Sequence, residues 1–252
     1  QRQMCIRDRN YKRTFLIALA FLSICSFWQM YDNIIPLILQ NTYHLGETMT
    51  GAVMALDNVL AIFLLPVFGT LSDKVHTKLG RRMPFIVAGT ILAVIFMMLL
   101  PMIDNAEKAR WSTGESFSNQ VIFLAVLFFT LVSMGLYRSP AVALMPDVTP
   151  NHLRSRANAV INLMGAVGGV YALIMIKVLV GKGETPDYLP LFASIAAVMA
   201  IAVGILVITI RENKLREEVE KAEAANADTI EEKAMAEGVE AAGEIEAVGD
   251  TG

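Results

Sequence analysis

Three ionisable side chains stand inside long apolar runs of this sequence. They are Asp32 in Trp28-Gln-Met-Tyr31-Asp32-Asn33, Asp57 followed by Asn58, and Arg138 in Tyr137-Arg138-Ser-Pro140. A charge at the centre of an apolar span costs about 3 kcal/mol or more, so each needs a use that compensates for it. Trp28 and Asp32 are four residues apart and share one face of a helix. An aromatic ring beside a carboxylate and an amide suits a polyhydroxylated solute: the ring covers C–H faces while the polar groups take hydroxyls. A desolvated carboxylate also suits reversible proton binding. The competing reading of Asp32 is an acid near the outer water layer that only caps its helix. Two carboxylates at one depth, Asp32 and Asp57, can share a proton or a cation; pairing with a polar neighbour for structure alone accounts for Asp57 equally well. Arg138 facing a cavity can bind hydroxyls bidentately or displace a proton from a carboxylate; otherwise its long stem snorkels to the nearest water. Asn158 and Asn162 share a face of a later run, where they line the same path or bond between helices.

The elements that must carry these groups are membrane-crossing helices. Six apolar runs, at about 14–39, 49–72, 84–103, 119–145, 153–180 and 187–210, each reach the roughly 20 residues that a bilayer requires. The chain is 55% hydrophobic and its apolar residues come in blocks, so we expect an all-α membrane protein. Lys12 and Arg13 precede the first run. Lys74, Lys78, Arg81 and Arg82 separate the second from the third, Arg154 and Arg156 the fourth from the fifth, and Arg211, Lys214 and Arg216 follow the sixth. All fall on one face. The opposite loops hold fewer cations: none in 40–48, Lys108 and Arg110 among acids in 104–118, and Lys182 in 181–186. The cation bias puts both termini on the cytoplasmic side of the cell (inner) membrane. Asp32 then lies ~10 Å and Asp57 ~12 Å from the outer face, and Arg138 ~12 Å from the inner one.

The loop between the second and third runs is Gly69-Thr-Leu-Ser-Asp73-Lys-Val-His-Thr-Lys-Leu-Gly80-Arg81-Arg82-Met-Pro84. A basic turn that only anchors topology accounts for Lys74 and Lys78, but not for Gly69, Asp73, Gly80 and the arginine pair together. The pattern resembles the signature loop between the second and third helices of major facilitator transporters. Its wider Asp73-to-Gly80 spacing and Pro84 resemble the glycoside–pentoside–hexuronide and sucrose:proton symporter branch. Ala143-Leu144-x-x-Asp147-x-x-Pro150-x-x-x-Arg154-Ser-Arg156-Ala157-Asn158-Ala159 through Met164-Gly165-Ala166-Val167-Gly168-Gly169 is similar to bacterial and plant sucrose symporters. Plant-type members place an arginine directly before the Ala-Leu pair, where this chain has Val142; Arg138 stands one turn earlier on that face. Melibiose-type relatives carry two acids ahead of Pro-x-x-Gly, where this chain has Ala61 and Leu65, so a proton is the expected coupling ion rather than sodium.

The resemblance implies the amino-terminal six-helix half of a major facilitator fold, itself a 3+3 inverted repeat, with the solute held between halves near the bilayer midplane. It implies sugar or glycoside uptake with protons by alternating access, with a missing carboxy-terminal six-helix half as partner. A carrier of a non-sugar solute and a non-transporting membrane partner remain as competitors. The path residues are then Trp28, Tyr31, Asp32, Asn33, Asp57, Asn58, Arg138, Asn158 and Asn162. Gly69, Asp73, Gly80, Arg81, Arg82, Asp147 and Arg154 would form a cytoplasmic gate whose charge pairs break on switching. Arg82 and Arg156 also read as ordinary interfacial anchors. Gly165-x-x-x-Gly169 reads as a site of close helix approach.

Three histidines scattered over the loops and two cysteines, Cys5 and Cys25, offer no metal site, disulfide framework or catalytic constellation, so neither a cofactor nor an enzyme is expected. No basic face lies outside the short loops, which argues against nucleic acid. Residues 1–9 (QRQMCIRDR) read as a non-native leader, 10–210 as the transmembrane domain and 211–252 as an acidic cytoplasmic tail. In the tail, pairs such as Glu217–Lys221 would support a frayed helix, and disorder is expected past Gly238. The absence of a second hydrophobic half is read as truncation.

Overall fold

A backbone that crosses lipid must satisfy its own polar groups, which leaves helices as the solution for apolar runs of this length. The computed structural model describes residues 2–75, 77, 80–113, 120–149, 153–181, 186–210, 212, 213, 215–217, 219 and 221, with the side chains of 2–13 and 111–113 undescribed. Its helices are α1 (Arg2–Asn41), α2 (Glu47–Met54), α3 (Leu56–Lys74), α4 (Met83–Thr113), α5 (Gln120–Val148), α6 (Arg154–Leu179) and α7 (Leu189–Thr209). Among the described residues the only extended pairing is an isolated bridge between Thr77 and Gly80. Helices α2 and α3 form one crossing. The interruption at Ala55 keeps helical bonds on both sides, Ala55 N–H to the Gly51 carbonyl at 2.9 Å and Val59 N–H to the Ala55 carbonyl at 3.2 Å. Among the described residues six helical stretches, with α2 and α3 counted together, are long and apolar enough to span a membrane, and the chain is a multi-pass membrane protein.

Helix α1 is the hub. Its side chains Ile17, Phe27, Met30, Ile34 and Ile38 are buried, and it packs against α5, α6 and α7. The seam with α6 is the tightest. A side chain at Gly168 would collide with the backbone of Leu22, so only hydrogen fits there. The Ser26 hydroxyl crosses the same seam to the Gly168 carbonyl at 2.9 Å. Close approach therefore falls at Gly165 and Gly168 rather than at Gly165 and Gly169; a Cβ at Gly169 would make only an ordinary 3.6 Å contact with Gln29. On the other side of α1, Ser23 and Tyr137 of α5 join their hydroxyls at 2.8 Å beside the Ala20 carbonyl. By contrast α3 leans chiefly on α5 and leaves Val59, Ile62, Phe63, Val67 and Leu71 exposed. Helix α6 leaves Leu163, Val167, Val170, Ile174 and Val178 exposed.

Three spans run further than expected. Helix α1 begins at Arg2 rather than near 14. The third was to end near 103, yet α4 continues to Thr113, so Asp104, Glu107, Lys108 and Arg110 are helical rather than loop residues. Asp104 is fully buried because its charge is matched. It accepts the Thr42 hydroxyl at 2.6 Å and Lys108 Nζ at 2.6 Å, and Lys108 also donates to the Pro186 carbonyl at 2.7 Å and covers the Tyr188 ring. These contacts tie the ends of α1, α4 and α7 together at the face opposite Arg81. The fourth span continues to Val148, which brings Pro146 and Asp147 into α5. Glu217 and Lys221 pair at 2.5 Å on an exposed surface, where Lys221 holds the Glu217 carboxyl below its ordinary pKa. The expected disorder past Gly238, and His76, Lys78, Pro150, His152, Lys182, Arg211 and Lys214, lie outside the described residues.

Candidate functional site

The mid-depth charges converge on Trp28. Its ring separates two cavities. The larger, about 480 Å³, lies between α1 and α6 and is lined by Trp28, Gln29, Asp32, Asn162, Gly165 and Gly169. The smaller, about 20 Å³, lies between α1, α3 and α5 and is lined by Trp28, Asp57, Leu64, Leu131, Gly135 and Arg138. The Arg138 guanidinium stands 5.6 Å from the centre of the Trp28 ring, within cation–π range. Among the described residues no ion pair holds Asp32, Asp57 or Arg138. Helical spacing produces this convergence: α1 offers Trp28 and Asp32 on one stripe, and α5 offers Arg138 where it crosses α3.

The other expected path residues divide. Tyr31 is buried, packed at 5.5 Å across the Trp28 ring and stacked on Phe27 at 6.1 Å, so it backs the site instead of lining it. The buried Tyr31 hydroxyl and Trp28 Nε1 have no hydrogen-bond partner within the described chain. Asn33 turns to its own helix and donates to the Gln29 carbonyl at 2.7 Å. Asn58 donates to Asp57 Oδ1 at 3.0 Å, which orients that carboxylate. Asn162 lines the larger cavity; Asn158, one turn away and exposed, does not. Gln29 lines the cavity and was missed, since a lone amide in an apolar run carries no motif.

At the Arg81 face the charges are matched. Arg82 Nη2 meets Asp73 at 2.9 Å, its Nε bonds Asp147, and its Nη1 donates to the Ser72 hydroxyl at 3.1 Å. Arg81 reaches Asp147 at 2.9 Å and Asp73 at 3.8 Å. Burial works against the Arg81 charge, but the hydrogen bond and charge of Asp147, followed by the charges of Asp73 and Glu212, outweigh it and hold the guanidinium pKa above its ordinary value. The reading of Arg82 as an ordinary interfacial anchor is therefore corrected: its side chain is 7% exposed and it is the centre of the cluster. Arg154 stays outside. It donates to the Thr149 and Pro146 carbonyls at 3.3 and 3.1 Å and closes the turn after α5. A Cβ at Gly69 would make only an ordinary 3.4 Å contact with Ser139 of α5, whose hydroxyl bonds the Leu65 carbonyl at 2.8 Å. Gly80 has φ +125°, a conformation that favours glycine.

One residue at the Arg81 face escaped the sequence reading altogether. Glu212, which follows α7, is buried, and its carboxylate accepts the backbone N–H groups of Arg81 at 3.0 Å, Arg82 at 3.1 Å and Met83 at 3.1 Å. An acid just past a span has no spacing signature that would single it out.

The profile of the Major Facilitator Superfamily matches residues 17–241. The chain is 35% identical over 116 residues to the sucrose transport protein SUC4 of Arabidopsis thaliana, covering 43% of this chain and 22% of that protein. It is 26% identical over 137 residues to the sucrose transport protein SUT3 of Oryza sativa subsp. japonica, covering 51% of this chain and 27% of that protein. The matched regions span less than a third of the length of these relatives.

Proposed function

This chain belongs to the Major Facilitator Superfamily, and on that premise we propose that it is the amino-terminal half of a proton-coupled sugar carrier that works by alternating access. The observation that supports this reading is the convergence on Trp28: an aromatic face, an arginine and two carboxylates around cavities at mid-depth, with no ion pair among the described residues neutralising them. A sugar ring would lie against Trp28 in the larger cavity, and its hydroxyls would take Gln29 and Asn162, while Arg138 holds the Trp28 ring from the other side. Asp32 is the candidate proton carrier, because it faces the larger cavity; Asp57, held by Asn58, lines the smaller one on the other side of Trp28. The carboxy-terminal six helices would close the other wall of the path. The Arg81 face is cytoplasmic, the membrane is the cell membrane, and the Asp73–Arg82–Asp147 cluster holds that side shut while the carrier is open outward. The resemblance to sucrose transport proteins supports a sugar as the solute.

The test is uptake by a full-length carrier containing this half, in proteoliposomes, against a panel of sugars with and without a proton uncoupler. Accumulation of at least one sugar that the uncoupler abolishes is the expected result. Accumulation that ignores the uncoupler, or of non-sugar solutes alone, overturns the proposal.

A further inference from the structure

The gate cluster holds Arg81 and Arg82 by their side chains. Something must also fix the backbone from which those side chains reach out, because α4 starts only at Met83. The first N–H groups of a helix have no intrahelical partner, and here they are satisfied from outside the loop. The Glu212 carboxylate takes three consecutive ones, at Arg81, Arg82 and Met83, at the positive end of the α4 dipole. Its neighbour Asn213 donates from Nδ2 to the Thr77 carbonyl at 3.1 Å, on the loop's other limb. Leu215 and Val219 are buried while Glu217 and Lys221 are exposed, so the described residues after α7 turn an apolar side to the bundle. Gly80 belongs to the same arrangement. Apart from its positive φ, a Cβ there would occupy the space of the Glu212 carboxylate.

We propose that Glu212 is a positioning residue for the gate, and that the segment following the sixth span is a strap whose docking keeps Arg81 and Arg82 aimed at Asp73 and Asp147. The strap acts on the gate without touching the solute path. A pull or a bound partner on this segment would therefore be transmitted to the Asp73–Arg82 contact. The inference rests on the proposed function only for what the gate does; the coupling itself is a property of this chain.

The test is hydrogen–deuterium exchange of the full chain in lipid nanodiscs, comparing the parent protein with Glu212→Ala and Glu212→Gln. Exchange about tenfold faster or more is expected at Arg81–Met83, as charge-assisted bonds are lost. Exchange should also speed up at Ser72–Lys74, the far side of the ion cluster, with Leu189–Thr209 unchanged. Faster exchange at Arg81–Met83 alone would show a simple helix cap and overturn the positioning role, as would Glu212→Gln behaving like the parent. Should the alanine variant fail to fold, Asn213→Ala supplies the same reading through the strap's second contact: a smaller acceleration at both Thr77–Gly80 and Ser72–Lys74 supports the strap, and none at Ser72–Lys74 counts against it. Failure of sugar uptake would leave these exchange rates untouched, so the two readings fall separately.

Discussion

The ionised groups at the two faces of the bundle and those at its middle obey opposite rules. At the faces every charge of the two clusters has a partner: Asp73 and Asp147 grip Arg81 and Arg82 on one side, and Lys108 and Thr42 hold Asp104 on the other. In the middle, Asp32, Asp57 and Arg138 stand around Trp28 with cavities beside them and no ion pair among the described residues. Matched, dry charges cost most when one partner is removed, because the other is left buried and alone. Unmatched charges beside open space contribute little to the fold and are free to bind something else. The difference separates side chains that hold the architecture from those available for work.

Substitutions sharpen or break this contrast. The largest loss of stability is expected for Lys108→Ala, which strands the fully buried Asp104; about 3–5 kcal/mol should be lost in an unfolding titration. Arg82→Ala should cost less, about 1–3 kcal/mol in the same assay, because Arg81 still holds Asp147 at 2.9 Å and Asp73 is half exposed. Gly168→Ala should cost about 1–3 kcal/mol by forcing α6 away from Leu22, a packing effect independent of charge. Smallest of all, Asp32→Asn should move stability by no more than about 0.5 kcal/mol, as for an ordinary exposed position. Equal losses for Asp32→Asn and Arg82→Ala would erase the contrast.

Much of this was legible from residue types and spacing. Apolar runs of sufficient length marked the six crossings, since a lipid-facing helix needs no finer pattern. The Gly69–Arg82 loop was legible because its glycines, acid and arginine pair sit at fixed intervals. What escaped was set by long-range pairing. Asp104 and Lys108 look like loop residues until Thr42 and the Pro186 carbonyl, distant in sequence, supply partners that let α4 continue. Helical spacing placed Tyr31 near Trp28 but did not show that its ring would turn into the bundle against Phe27. Asn158 and Asn162 share a face, yet only Asn162 lines the cavity, whose α6 wall runs from Ile161 to Leu173 and so begins past Asn158. Glu212 escaped because its role depends on three backbone N–H groups, which have no letter in a sequence.

The central claim is that the mid-depth charges are kept for transport and not for the fold. The most direct test is sugar uptake driven by an imposed pH gradient in a full-length carrier, comparing Asp32→Asn with the parent at equal amounts of folded protein. The account predicts an uptake loss of about tenfold or more, equivalent to about 1.4 kcal/mol or more, with unchanged unfolding behaviour. Gradient-driven uptake at the parent rate in the Asp32→Asn carrier would contradict it.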